Sequence, residues 1–432
     1  MIRKKYSISG RMFVVALMML LLLTGCASEE RYITQENDTI TLRSVTMFGG
    51  SDANATVYEH IWEDFLEENP GIYINDESRT ADEQWKAEVA ADFCAGNEPD
   101  VLQFFTDATA NQLVAMDKFV TIEEIREYEP DYAKDTYPWA LEQVANSDGV
   151  QRAVPTTGFW EGLYCNSDLF EKYHVDYPTD WESFQQAVEV FHAHGVVPVA
   201  CSLAEVPHYW VEHLMLYTVG EEAYKEIPEE VPEDWCKALA LFQKLNEINA
   251  FPPNADIITN DYARSMFLQK EAAMILEGNW FLPLIEDQKN TVVIAFPGVP
   301  NGKEEQGTLI SGMSSGFYIT KRAFENPKKR DIAIRYVMAQ TSSAAVQKYW
   351  EHGGGTARAA TAVRPLESRT TLTMSVEEFL QNSQKQVLPL DSRMDPEAYT
   401  TLIEGIIEIY AGGDPDKLWN EVLAINTQRK TE

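Results

Sequence analysis

Residues 40 to 48, Ile40-Thr-Leu-Arg-Ser-Val-Thr-Met-Phe48, mix apolar and polar positions in a β-prone run, and Gly49-Gly50-Ser51-Asp52 stops it. This is the pattern of a strand with a turn after it. The period then changes: Val57, Ile61 and Phe65 recur on one helical stripe, with Trp62 and Leu66 beside it. Asn69-Pro70-Gly71 closes that helix ahead of a short strand, Ile72-Tyr-Ile74. A second helix is predicted over about 81–95; it stops at Gly96-Asn97 and leads into the strand Pro99-Asp100-Val-Leu-Gln-Phe-Phe105. The order β-α-β-α-β predicts an α/β fold with a doubly wound sheet and ligand-facing loops at the strand C-terminal ends.

Pro155 to Asn166 breaks this rhythm with an extended, aromatic segment. Thr179-Asp-Trp-Glu182 has the spacing of a capping box, and Trp181, Phe184, Val188 and Phe191 follow at helical intervals until Gly195. Strands are predicted at 196–200, 272–276 and 291–296, and helices at about 233–248, 261–269 and 328–340. A strand-rich stretch runs from Leu309 to Thr320, and the tail from 375 is helical again. Without a repeat or a low-complexity linker, two α/β lobes crossed several times by one chain fit better than two successive beads.

At 432 residues and 45% apolar content the chain is long enough for two or three domains with sizeable cores. Asp and Glu number 68 against 35 Lys and Arg, a formal charge of −33 that argues against nucleic acid as a partner and against adhesion to anionic lipid. The first residues obey a separate logic. Arg3, Lys4, Lys5 and Arg11 precede an apolar run of 11 residues, Phe13 to Leu23, the length of a signal-peptide core and short for a membrane span. The run ends in Leu23-Thr-Gly-Cys26, which resembles the bacterial lipobox, in which the cysteine is lipidated and becomes the mature N-terminus. The resemblance implies a lipoprotein signal peptide over 1–25, a lipidated Cys26 with a polar tether to residue 38, and a place on the extracytoplasmic face of the cell membrane. Loss of four basic and no acidic residues with that peptide takes the formal charge from −33 to −37. Cys94, Cys165, Cys201 and Cys236 form no Cys-x-x-Cys pair; export permits disulfides, and isolated buried thiols are the simpler reading.

Six segments in order resemble the carbohydrate-binding family of extracellular solute-binding proteins of ABC importers, the family of maltose-binding protein. They are Phe65-Leu-Glu-Glu-Asn-Pro-Gly-Ile72, Gly96-Asn-Glu-Pro-Asp-Val101, Cys165-Asn-Ser-Asp-Leu-Phe170, Tyr177-Pro-Thr-Asp-Trp181, Ala272-Ala-Met274 with Glu277-Gly-Asn-Trp280, and Ala339-Gln-Thr-Ser342 with Gln347. Cys165 departs from the family's tyrosine, and beyond residue 360 only helical character matches. The resemblance implies a type II periplasmic-binding-protein fold, with hinge-linked lobes that close over a ligand. Lobe one would comprise 39–155 plus 300–355 and lobe two 156–299 plus 356–432, with crossovers near 155–164, 291–300 and 355–362.

A sugar presents an apolar face and a ring of hydroxyls, so its site needs aromatic faces together with carboxylates, amides or arginine. By the resemblance, Trp280 aligns with a tryptophan that stacks on sugar, Tyr209 and Trp210 lie where the family places aromatics, and Asp107 lies where it carries a hydroxyl-binding carboxylate. Trp160 and Glu161 on the crossover segment either face the cleft or stiffen the hinge. Gly49 and Ser51 at the first strand's end, and Gly312 in a comparable turn, either admit a ligand to the backbone or are simple turns. Arg358 at the last crossover is a ligand contact or a salt-bridge residue.

Other chemistries are weighed against this one. Gly312-Met-Ser-Ser-Gly316 fits a nucleophile elbow, which requires a helix directly after its serine, whereas Phe317-Tyr-Ile-Thr320 reads as strand. His192 with His194, and His208 with His213, could suggest a metal, but the first pair suits a helix C-terminus. The reading is therefore a monomeric, non-enzymatic receptor, without metal or cofactor, that passes a carbohydrate, expected to be an oligosaccharide, to ABC permease subunits. The alternatives are an extracytoplasmic glycoside-processing enzyme and a receptor for a peptide or polyamine.

Overall fold

The computed structural model describes residues 39–431, apart from 305, 353–358, 365–368 and 384. The chain begins with β1 (Ile40–Val45), α1 (Ala55–Glu68), β2 (Ile72–Asp76), α2 (Glu83–Ala95) and β3 (Val101–Phe105). Strand β1 pairs in parallel with both β2 and β3, as the predicted β-α-β-α-β order requires. Helix α1 buries Val57, Tyr58, Ile61 and Phe65, the stripe read from the sequence. Helix α2 starts where the Asp82 carboxylate accepts the Trp85 N–H and ends where Gly96 takes the left-handed φ of 72°.

After β4 (Ala153–Val154) the chain enters a second sheet with β5 (Phe159–Asn166). There follow α3 (Trp181–Ala193), β6 (Val197–Ala200), α4 (His208–Val219), α5 (Glu221–Tyr224), α6 (Asn260–Leu268), β7 (Ala272–Gly278), β8 (Thr291–Ile294) and β9 (Thr308–Gly312). The chain returns to the first sheet as β10 (Ser315–Ile319) and α7 (Pro327–Thr341), and then rejoins the second with α8 (Thr371–Asn382), β11 (Lys385–Val387) and α9 (Pro396–Tyr410). The sheet orders are β2-β1-β3-β10-β4 and β11-β9-β5-β7-β6, with β8 also on β5.

Both sheets are covered on both faces, so their strands carry apolar side chains on alternate sides. Phe317 and Ile319 of β10 enter one core and Tyr318 the other. In β5, Leu163 and Cys165 face one core, while Trp160 and Tyr164 face its opposite.

Two local readings differ from the structure. The capping box of α3 is one residue later than predicted: Asp180 accepts the Ser183 N–H at 2.8 Å and Ser183 Oγ accepts the Asp180 N–H at 3.0 Å. A carboxylate takes the cap in place of the neighbouring threonine. Residues 300–312, read as the return to lobe one, instead hold β9 in the second sheet, because Leu309 and Ile310 bury on its two faces. The passage comes at Met313 and Ser314, and Ser315–Ile319 continues as strand, without the helix a nucleophile elbow needs. Thr157 bridges to Ala359, which places the first and last passages between the sheets side by side.

Candidate ligand cleft

The sequence Glu277-Gly-Asn-Trp280 builds one wall. Strand β7 ends at Gly278, and a short 3-10 segment, Asn279–Leu284, turns the chain back. A Cβ at Gly278 would lie 2.3 Å from the Trp280 indole, so only glycine lets that ring fold over its own backbone. The indole N–H donates to Glu277 Oε2 at 2.8 Å. Glu277 is fully buried and also accepts Arg264 Nε at 2.7 Å and Asn260 Nδ2 at 3.0 Å. The half-buried Trp280 ring is flanked by Phe159 at 6.2 Å and Tyr209 at 5.9 Å between centroids. The result is an aromatic surface fixed by charge-assisted hydrogen bonds.

Carboxylates gather nearby in the second sheet and its helices. Glu161, on the opposite face of β5 from Trp160, lies 3.6 Å from His213 Nδ1. That ring N–H is committed to the Tyr209 carbonyl at 2.8 Å, and burial pushes the imidazole pKa down to about 4, so His213 is neutral and forms no ion pair. Glu212, on α4, accepts the Tyr399 hydroxyl at 2.8 Å through one oxygen. The other oxygen of Glu212, Oε2 of Glu161 and Oδ1 of Asp391 are buried without a hydrogen-bond partner, as is the Tyr224 hydroxyl. Burial holds Glu161 and Glu212 well above the usual carboxylate range; repulsion from Glu212 and Glu277 adds to it at Glu161, and repulsion from Asp391 adds to it at Glu212 against the Tyr399 hydroxyl bond. Asp391 is pushed up to about 7 by burial and by Asp107, against the pull of Lys86.

Lys86 and Asp107 belong to the first sheet's side. Lys86 sits on α2, 2.8 Å from Glu83 and 4.8 Å over the Phe105 ring. Asp107 caps the turn after β3 by accepting the Thr109 N–H, and its Oδ2 accepts the Ser392 hydroxyl at 3.2 Å, a bond between the two sheets' domains. Asp52, beyond β1, is pushed up to about 6 by burial, partly offset by the Asn54 N–H and by the charge of Arg264. A cavity of about 200 Å³ lies between Lys86, Thr109 and Gln112 on one side and Asp391 and Tyr399 on the other.

Of the residues picked from sequence, the structure brings Trp280, Tyr209, Glu161 and Asp107 to this junction. Two others it buries in the cores, and the remaining described ones it shows in local contacts only. Trp160 is buried in the core, stacked on Tyr164 and packed against Phe379. Trp210 meets Phe251 and Phe296 edge-on in the opposite core. Gly49 is required by the backbone of Ser78, 2.4 Å from where a Cβ would stand, whereas a Cβ at Gly312 would meet only the end of the Leu388 side chain. Ser51 is exposed and bonds Thr80 Oγ1 at 3.1 Å. Arg358 and Cys26 lie outside the described residues.

Sequence reasoning missed Glu212, Asp391, Lys86, Arg264 and Tyr224. Glu212 had a readable signal, a lone carboxylate inside the apolar run of α4 where every residue from Tyr209 to Val219 is buried. Asp391 had none, since it reaches the site on a short turn after β11.

The profile of the family described as bacterial extracellular solute-binding protein matches residues 50–345. No curated protein sequence matches. Solved structures do. A chitin oligosaccharide binding protein aligns with a TM-score of 0.79 at 17% identity, over 91% of this chain and 100% of its own. An ABC substrate-binding protein from Listeria monocytogenes in complex with cycloalternan gives 0.71 at 16%, over 91% and 99%. A maltose-bound protein of T. maritima gives 0.70 at 15%, over 90% and 99%. At these identities the likeness is one of fold, the two-lobe α/β architecture.

Proposed function

This chain belongs to the bacterial extracellular solute-binding proteins, and on that premise we propose that it is a lipid-anchored receptor that captures a carbohydrate between two lobes and delivers it to an ABC permease. The observation that carries the reading is the Trp280–Tyr209–Phe159 surface beside buried carboxylate oxygens that lack donors. An aromatic face covers the C–H side of a sugar ring, and carboxylates accept its hydroxyls. A buried carboxylate oxygen without a donor is costly, and either a proton or a guest's donor relieves it. The sugars bound by the structural relatives support the same choice.

The lobes of this proposal are built on the two sheets, and the three passages between them form the hinge. Ligand touches both lobes only when they are closed, so binding shifts the population toward closure and the permease reads the closed shape. The Leu23-Thr-Gly-Cys26 sequence supports anchorage by lipid, and no helix among the described residues is long and apolar enough to cross a membrane.

A thermal-shift screen against mono- and oligosaccharides, with peptides and polyamines alongside, tests the reading. The expected result is stabilisation by one sugar class, with the sugar recovered intact after incubation. Stabilisation by a peptide or polyamine alone would replace the sugar, and breakdown of the sugar would overturn the transport role.

A further inference from the structure

We propose that Glu161, Glu212 and Asp391 form a subsite for an ammonium group, so that the preferred ligand is a sugar carrying a free amine. The inference rests on the carbohydrate reading and names its class.

It starts from the donors that the chain itself could offer these carboxylates. The Tyr399 hydroxyl is spent on Glu212 Oε1. The Arg393 guanidinium, over the Tyr224 ring, gives Nη1 to the Leu388 and Pro389 carbonyls and Nη2 to that of Tyr224, while its buried Nε meets no acceptor and none of the three carboxylates. Lys86 is held by Glu83, Arg264 by Glu277, and the His213 N–H by a carbonyl. Three acidic oxygens, on Glu161, Glu212 and Asp391, are left buried without a donor. Glu161 and Glu212 are only 4% and 1% exposed.

An independent group points to the same place. The Tyr224 hydroxyl is fully buried and unpartnered, and beyond its burial it feels Glu212, Glu161 and Asp391 together, opposed by Arg393.

Charge then decides between guests. Lys86 acts on Glu212, Asp391 and Asp107, and Arg393 on Glu212 and Asp391, so with Glu161 these six groups sum to two negative charges when ionised, before Glu83 is counted against Lys86. A sugar hydroxyl supplies a donor but no charge. An ammonium supplies three donors, no acceptor and one positive charge, which matches three acceptor oxygens in a site short of cations. Without it the carboxyls must hold protons, and burial shifts their titration in that direction. The cavity of about 200 Å³ beside Asp391 and Tyr399 gives part of a ligand room at this end of the junction; whole drug-sized ligands occupy roughly 300–1,000 Å³.

The test is calorimetric titration of the intact protein, at about pH 6.5 where ordinary amines are protonated. The panel sets each hexosamine and its β-1,4 oligomers against the N-acetylated and the parent hydroxyl sugars, with spermidine added. Each set has one carbon skeleton and differs only in the group at C2. An amine-bearing sugar is expected to bind at least about tenfold more tightly than its two counterparts, the scale of a hydrogen bond to a charged group. Glu212→Gln and Asp391→Asn should erase that preference, bringing the affinities for the amine-bearing sugar and its hydroxyl counterpart together. The sugar comparison needs no variant, so a misfolded substitution does not obscure it. Equal or tighter binding of the neutral or acetylated sugar overturns the ammonium subsite and leaves the carbohydrate reading standing. Binding of spermidine without any sugar overturns both, and no binding by any amine overturns the subsite.

Discussion

Two tryptophans show how much a side chain's face matters. Trp280 holds its indole on Glu277, and Glu277 is itself fixed by Arg264 and Asn260. Trp160 sits on the face of β5 opposite Glu161, inside a core, with no accessible surface and with Tyr164 and Phe379 against it. Trp280→Ala should therefore weaken ligand binding by roughly 2–4 kcal/mol, the range of a buried aromatic anchor, with little change in unfolding free energy. Trp160→Ala should do the reverse, lowering stability by about 3–5 kcal/mol in urea unfolding, as large-to-small core changes do. If Trp280→Ala binds as the parent does, the aromatic wall is not the ligand surface. Cys26 makes a separate prediction at this scale: Cys26→Ala should move the protein from the membrane fraction to the soluble one. Its retention would remove the lipid anchor.

Elements were legible wherever burial imposed a period. The stripe of α1, the parallel strands β1, β2 and β3, and the apolar ridge of α3 could be read because each buries a regular subset of its residues. Junctions were less legible. Leu309 to Thr320 reads as one strand-rich stretch, yet β9 and β10 belong to different sheets, and nothing local marks Met313 and Ser314 as the change. The acidic junction draws on β5, α4, α5 and the turn after β11, so no short motif carries it. The glycines likewise owe their identity to distant neighbours. At Gly49 a Cβ would strike the Ser78 backbone at 2.4 Å, whereas at Gly312 it would strike Leu388 Cδ2, the movable end of a side chain. Gly49→Ala should cost about 1–3 kcal/mol by overpacking, and Gly312→Ala clearly less. Parallel thermal melts of the two variants check the order, and equal losses would mean that the 78–79 backbone yields.

For the whole molecule, closure brings Asp107 of one side against Asp391 and Ser392 of the other. Burial and the Asp107 charge push Asp391 up to about 7, while Lys86 and Arg393 pull it back and Glu83 adds to the rise. An opened cleft returns Asp391 to water and toward an ordinary pKa of about 4. Between those values the closed form binds the extra proton. Its stabilisation is thus complete below about pH 4 and is lost as pH rises through about 7. Glu161 and Glu212 shift in the same direction and reinforce the trend where opening rehydrates them. Small-angle scattering of the ligand-free protein should show the radius of gyration growing between about pH 4 and pH 7, and Asp391→Asn should blunt that growth. A bound ligand that supplies the missing donors replaces the protons, so the loaded protein should stay closed across the same range. Growth of equal size with and without ligand would separate closure from these carboxylates, and the cleft would then need another source for its coupling between capture and shape.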